Sequence, residues 1–325
     1  MKLSFLFFGN KPDEKWQLAS QMGIRYAIAK LAPEITGELA PWDFQSLKNS
    51  RDIYDANGFK LYGLEGDQFD MNRIKFGLAG RDEDIELYKE MLVNMGHLGI
   101  RLLCYNFMAG IGWYRTATDL PERGGALVSG FDAAVSNELG LTEFGIVSEE
   151  KIWENYQYFI ERVISTAEQA GVKMALHPDD PPVSSLRGIG RIFTSAEGVR
   201  KALLLSNSPS HGLTFCQGTY TTMGENVPAL IKEFGNAGRI HFVHIRDISG
   251  NAQSFRETFH DNGPTDMVAM FKSYRDIGFV GPVRSDHVPT MAGENNLQHG
   301  YAMKGNLFGI GYMKGIMETL GIAVE

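Results

Sequence analysis

Short apolar runs alternate along this chain with longer segments of helical period. Leu3–Phe8 is continuous and mostly apolar, and Asp13–Met22 carries a helix-like pattern. Ile24–Leu31 is a second strand-like run, followed by a helix over Pro41–Asn57 that Gly58 closes. Leu61–Leu64 is a third strand, ending at Glu65-Gly66. Within Asp82–Gly96, residues Ile85, Tyr88, Met91, Leu92 and Met95 fall on one stripe of a helix. Ile100–Tyr105 is a fourth strand, ending at Asn106. From Phe107 to Val147 clear periodicity is lost, and a long functional loop is expected.

Ser148 is placed to cap the next helix, with Glu149 and Glu150 in the first turn, where negative charge suits the dipole. Ile152, Tyr156, Phe159, Val163, Ile164 and Ala167 form its buried stripe, and Gly171 ends it. Four more strands follow, at Val172–Leu176, Leu213–Phe215, Ile240–Ile245 and Pro282–Ser285. Helical segments at Ser195–Leu205, Asn226–Phe234 and Thr265–Ile277 separate them, and Tyr301–Leu320, weakened by its glycines, closes the chain.

Alternating strands and helices imply a parallel sheet. About eight such units point to a single closed (β/α)8 barrel of the TIM type over residues 1–325. The segment at about 107–147 would form part of its active-site lid. An open doubly wound sheet is the rival, but no G-x-G-x-x-G follows the first strand and no P-loop sequence occurs.

Composition narrows the partners. The formal charge is -8 and no Lys/Arg-rich block occurs. Nucleic acid and anionic membrane surfaces are therefore not expected. No apolar run approaches the roughly 20 residues of a membrane helix. With only Cys104 and Cys216 there is no disulfide framework, and a reducing cytoplasm is expected. Met1–Phe8 reads as a first strand rather than a leader, because Gly9-Asn10-Lys11-Pro12 ends it early.

The chemistry gathers at strand ends, where barrel active sites lie. The last four strands end at or near His177, Cys216, His244 and Asp286. Each is a metal-ligand type. Neighbouring strand ends lie roughly 5 Å apart, and a cation holds its ligands at about 2.0–2.3 Å, so the four could share one ion. Taken singly, Cys216 is also an ordinary core residue, His244 a core histidine and Asp286 a helix cap. The donor set suits Zn, Fe or Ni by softness. His241 lies on the opposite strand face from His244 and reads as packing. The same rim carries Asn106, Trp113, Arg115, Asp179, Arg246, His260, His287 and Tyr301.

Several strings here resemble the mannonate dehydratases of hexuronate breakdown, a branch of the xylose-isomerase-like barrels. They are Cys104-Tyr105-Asn106-Phe107-Met108, Trp113-x-Arg115-Thr116, His177-Pro178-Asp179-Asp180-Pro181-Pro182, Cys216-x-Gly218-x-Tyr220, His244-x-Arg246, Thr258-Phe259-His260, Arg284-x-Asp286-His287 and Gly300-Tyr301. The resemblance implies dehydration of D-mannonate to 2-keto-3-deoxy-D-gluconate. It implies Mn(II) as the metal, with Fe(II), Co(II) or Zn(II) as alternatives, held by His177, Cys216, His244 and Asp286. It also implies His287 and Tyr301 as the acid/base pair.

Asn106, Trp113, Arg115, Asp179, Arg246 and His260 are expected on the substrate side. Asp179 and Asp180 are either partners fixing the His177 tautomer or a rigid acidic loop. A homo-oligomer is expected. The pattern departs from the family at Ala109, Gly112, Ser285, Val288 and Asn306, and in its first two strands. The reaction class is therefore better defined than the substrate. A metal-dependent sugar isomerase or epimerase on the same barrel is the alternative.

Overall fold

Eight parallel strands close into a barrel in this computed structural model, which describes all 325 residues. They are β1 (Lys2–Phe8), β2 (Tyr26–Lys30), β3 (Lys60–Glu65), β4 (Leu102–Tyr105), β5 (Lys173–Leu176), β6 (His211–Cys216), β7 (Ile240–Ile245) and β8 (Pro282–Ser285). Each pairs with the next in sequence, and β1 pairs with β8 to close the ring. Consecutive strands are neighbours because each returns through a helix packed outside the barrel, the right-handed βαβ unit.

Faces alternate along each strand. On β7, Val243 and Ile245 join the large apolar cluster between barrel and helices. Phe242 points the other way, into a small interior cluster with Ile28, Leu102, Cys104 and Ala175. His244 shares that face, its ring 4.5 Å from the Phe242 ring.

The long helix Glu149–Ala170 begins and ends as its sequence predicts. Ser148 accepts from the Lys151 N–H, and Gly171 takes a φ of 65° at the C-terminus. Two glycines of the last helix, Met303–Thr319, have a packing role: Gly305 and Gly309. A Cβ on Gly309 would lie 2.6 Å from Ser285 Oγ. Without side chains there, the helix settles directly onto β8.

The segment 107–147 is more ordered than its sequence predicts. Strands Ala117–Pro121 and Leu127–Asp132 pair antiparallel, and the second also pairs with Ser254–Glu257, which pairs with Ile248–Asn251. This four-stranded sheet joins the loop after β4 to the loop after β7. Its strands escape a local reading because they are short and their partners are remote. Phe131 and Phe255 pack across it with Val183, Leu186 and Ile248. An antiparallel bridge between Leu127 and Thr290 ties the sheet to the loop after β8. No helix is long and apolar enough to cross a membrane.

Candidate active site and metal centre

Strand register brings the four donors together. Cys216 pairs with His244 across β6 and β7, and His244 pairs with Arg284 across β7 and β8. Asp286 follows two residues after Arg284, with its N–H on Ile245 O. His177 follows β5, with its N–H on Tyr105 O. One ligand atom from each of His177, Cys216, His244 and Asp286 lies within 4.8 Å of the others. Cys216 Sγ is 3.8 Å and His244 Nδ1 3.6 Å from Asp286 Oδ2.

His177 Nδ1 contacts Pro178 O at 2.7 Å, which leaves Nε2 for the cluster. His244 Nε2 is buried and has no hydrogen-bond partner. Two imidazoles, a thiol and a carboxylate on the inner face of a barrel form a donor set that fits one divalent cation.

Electrostatics prepare the donors. Burial raises the Cys216 thiol, but Arg246 and His177 outweigh it and bring the thiol well below its ordinary value. Burial lowers His177, but the Cys216 charge outweighs it and moves the imidazole up to about 9. Asp286 is held well below the carboxylate range, since Arg284 and His287 overcome its burial. At neutral pH these shifts favour a thiolate at Cys216 beside an imidazolium at His177. A cation held by His177 would need the neutral imidazole and would displace that proton. Apparent affinity is expected to rise about tenfold per pH unit up to about pH 9. Calorimetry in buffers of different ionisation enthalpy should detect about one proton released at pH 7. No proton release would contradict the ion-pair assignment.

His287 and Tyr301 face each other beside this centre, with His287 Nε2 3.2 Å from Tyr301 Oη. His287 takes a φ of +39°, a sparsely populated conformation for a non-glycine residue. The Trp113 ring lies 4.7 Å from the His287 ring and 5.5 Å from that of His299. Burial and the Asp286 charge push the Tyr301 phenol well above its ordinary value.

A cavity of about 560 Å³ opens over these groups and is lined by Asn106, Trp113, His177, Asp286, His287 and Tyr301, among others. Trp113 Nε1 is buried with no partner. Asn106 Oδ1 accepts from Lys75 Nζ at 3.0 Å and from the Met108 N–H at 3.0 Å. Those bonds use the amide oxygen and leave Nδ2 as the free donor.

Four residues expected on the substrate side do not line this cavity. Arg115 and Arg246 lie behind its wall, bound to carboxylates. Arg115 forms a fork with Asp180 at 2.7 and 2.9 Å and reaches Glu257 at 2.6 Å. Arg246 bonds Glu257, Asp180, Thr219 and Cys216 Sγ, so each guanidinium nitrogen is engaged. Gly218 permits that approach, because a Cβ there would lie 2.6 Å from Arg246 Cγ.

Asp179 accepts from the Ile192 and Phe193 N–H groups at 2.9 and 2.7 Å, fixing the loop after β5. Neither Asp179 nor Asp180 contacts His177 Nδ1, whose neighbour is Pro178 O. His260 places Nε2 2.8 Å from Ile245 O, and burial lowers its pKa to about 4, so it is neutral. At the departures from the family pattern, Ser285 Oγ contacts His260, Asn306 donates to Ala302 O, and Gly112 O accepts from Arg191.

Two acidic residues at the site were not singled out from sequence. Glu65 ends β3 and pairs with Arg284, 3.6 Å from His244 Nε2. Arg284 and His244 overcome its burial and hold it at about 2. A carboxylate at a strand end was the available signal. Glu257 sits on the lid sheet, where no local signal marks it.

The family model described as D-mannonate dehydratase (UxuA) matches residues 1–145 and 138–324. Mannonate dehydratase 2 of Halalkalibacterium halodurans is 33% identical over 349 residues, covering 98% of this chain and 99% of that protein. The mannonate dehydratase of Thermotoga maritima is 32% identical over 357 residues, covering 98% of each. The crystal structure of mannonate dehydratase from Streptococcus suis serotype 2 superposes with a TM-score of 0.90 at 30% identity, covering 100% of this chain and 97% of that one. Barrel, strand-end chemistry and full-length similarity agree, and this chain belongs to the mannonate dehydratase family.

Proposed function

We propose that this protein is a metal-dependent hydro-lyase that removes water from a sugar acid, D-mannonate, to give 2-keto-3-deoxy-D-gluconate. One observation carries this reading: the four clustered metal donors adjoin a cavity into which two of them, His177 and Asp286, open together with the His287–Tyr301 pair. His177, Cys216, His244 and Asp286 would hold the cation, Mn(II) by our reading, with Fe(II), Co(II) and Zn(II) as the competing ions. When bound, the cation supplies Lewis-acid stabilisation of negative charge at the substrate carboxylate.

The protein's own groups move the protons. Water loss breaks the carbon 2–hydrogen bond and the carbon 3–oxygen bond. The carbon 2 proton goes to a base, the departing 3-hydroxyl takes a proton from an acid, and the resulting enol becomes the 2-keto group. Burial keeps the Tyr301 phenol protonated, which suits it as the donor to the leaving hydroxyl. His287, in hydrogen-bond reach of Tyr301, is then the base. Asn106 Nδ2 and Trp113 Nε1 are unpaired donors that suit the substrate's hydroxyl and carboxylate oxygens. Trp113 also covers His287 and keeps bulk water from it.

A panel of aldonic and uronic acids, incubated with Mn(II) with and without chelator, tests the reading. A keto-deoxy acid formed only with metal is expected, fastest from D-mannonate. A ketose or epimer formed without loss of water would replace it with the isomerase or epimerase alternative. No turnover of any sugar acid would overturn it.

A further inference from the structure

We propose that Glu257 is a positioning residue for His287: its carboxylate takes the Nδ1 proton and so directs the Nε2 lone pair at Tyr301 and the cavity. This rests on the proposed role of His287 as the base and adds a residue to that machinery.

His287 must present one defined nitrogen to the substrate. Its two ring nitrogens face different groups. Nδ1 lies 3.2 Å from Glu257 Oε1, while Nε2 lies 3.2 Å from Tyr301 Oη and, further off at 3.6 Å, from Asp286 Oδ1, an oxygen that already accepts from Arg284 Nη1. Nδ1 is buried and makes no well-aligned hydrogen bond, and the Glu257 carboxylate 3.2 Å away is the acceptor that faces it. An ionised carboxylate cannot donate. A lone pair on Nδ1 facing it would be repelled, so the neutral ring carries its proton on Nδ1. The free pair then sits on Nε2. A histidine tautomer is set by the partner of its other nitrogen.

Glu257 must therefore stay ionised while nearly fully buried, which is costly for an unpaired charge. Two guanidiniums meet the cost. Arg246 Nη1 reaches its two oxygens at 2.7 and 2.8 Å, and Arg115 Nη2 reaches Oε1 at 2.6 Å. Arg246 and Arg115 overcome the burial and hold Glu257 at about 2. Asp180 binds the same two arginines, so two positive charges face two negative ones.

The knot draws on four loops. Arg115 follows β4, Asp180 follows β5, Arg246 and Glu257 follow β7, and His287 follows β8. Arg115 and Arg246 thereby act on the chemistry through Glu257 and His287.

The tautomer is measured directly. Protein labelled with 15N-histidine and loaded with diamagnetic Zn(II) is examined at about pH 8, above the ordinary imidazole range, with His287 assigned by its loss in His287→Asn. Wild type is expected to show a protonated Nδ1 and an unprotonated Nε2 on His287. The opposite tautomer in wild type would overturn the proposal, and that measurement needs no variant and no turnover. If no sugar acid is dehydrated, the function fails while this result stands separately.

Glu257→Gln is expected to mix or invert the tautomer. Its kcat should fall about 10- to 100-fold, the size found when a histidine's orienting partner is lost, with KM within about threefold and Zn(II) content unchanged. The double variant Arg115→Met/Glu257→Gln restores charge balance and should show the same spectrum and loss. An unchanged tautomer, or a loss confined to KM, would overturn the assignment.

Discussion

Cys216→Ser is expected to lower metal content and turnover together. Arg246 Nε, 3.3 Å away, and His177 hold the Cys216 sulfur as a thiolate in the protein interior. A serine hydroxyl at that position does not ionise near neutral pH and is a poor replacement for a soft anionic donor. Its loss also leaves the Arg246 and His177 charges short of an anion. His177→Ala removes a neighbouring donor and should behave alike. For either variant, turnover is expected to fall more than about 100-fold, beyond the 10- to 100-fold attached to residues that only orient a ligand. Elemental analysis of the purified variants, beside circular dichroism to verify folding, gives the readout. Full metal content in both would remove Cys216 and His177 from the metal centre.

His287→Asn should separate chemistry from metal binding. The imidazole is not one of the four donors, so metal content should stay at the wild-type level. Asparagine is polar and small enough for the space between Trp113 and Tyr301, but it does not accept a proton near neutral pH. Turnover is expected to fall at least about 100-fold, the low end for a general acid or base. Exchange of the carbon 2 hydrogen with deuterated solvent should disappear with it, because the same group breaks that bond. Near-normal turnover by the metal-loaded variant would reject His287 as the base.

These two results would probe parts of the site that differ in how they are written in the chain. His177, Cys216, His244 and Asp286 each stand at the end of a short apolar run. Strand ends of a closed barrel are neighbours by topology, so a local pattern is enough to propose their convergence. The resemblance in strings such as His177–Pro182 then names their chemistry. The helix over Glu149–Ala170 is legible for a similar reason: its cap, apolar stripe and terminal glycine are all local.

Contacts between residues far apart in sequence are not local. Leu127–Asp132 becomes a strand because Ser254–Glu257 lies beside it, more than a hundred residues later. Glu257 reaches His287 only through that sheet. Arg115 and Arg246 show their charge in the sequence but not their partners. The positive charge of an arginine at a barrel mouth serves substrate or a buried carboxylate according to which acid comes within reach. The periodicity of the chain, read with its strand-end residues, determined the barrel and proposed its donors. Tertiary structure alone decided the lid sheet, the Glu65–Arg284 pair and the buried arginine–carboxylate knot. Burial makes unpaired charge costly, and only the packed fold brings the compensating partners together.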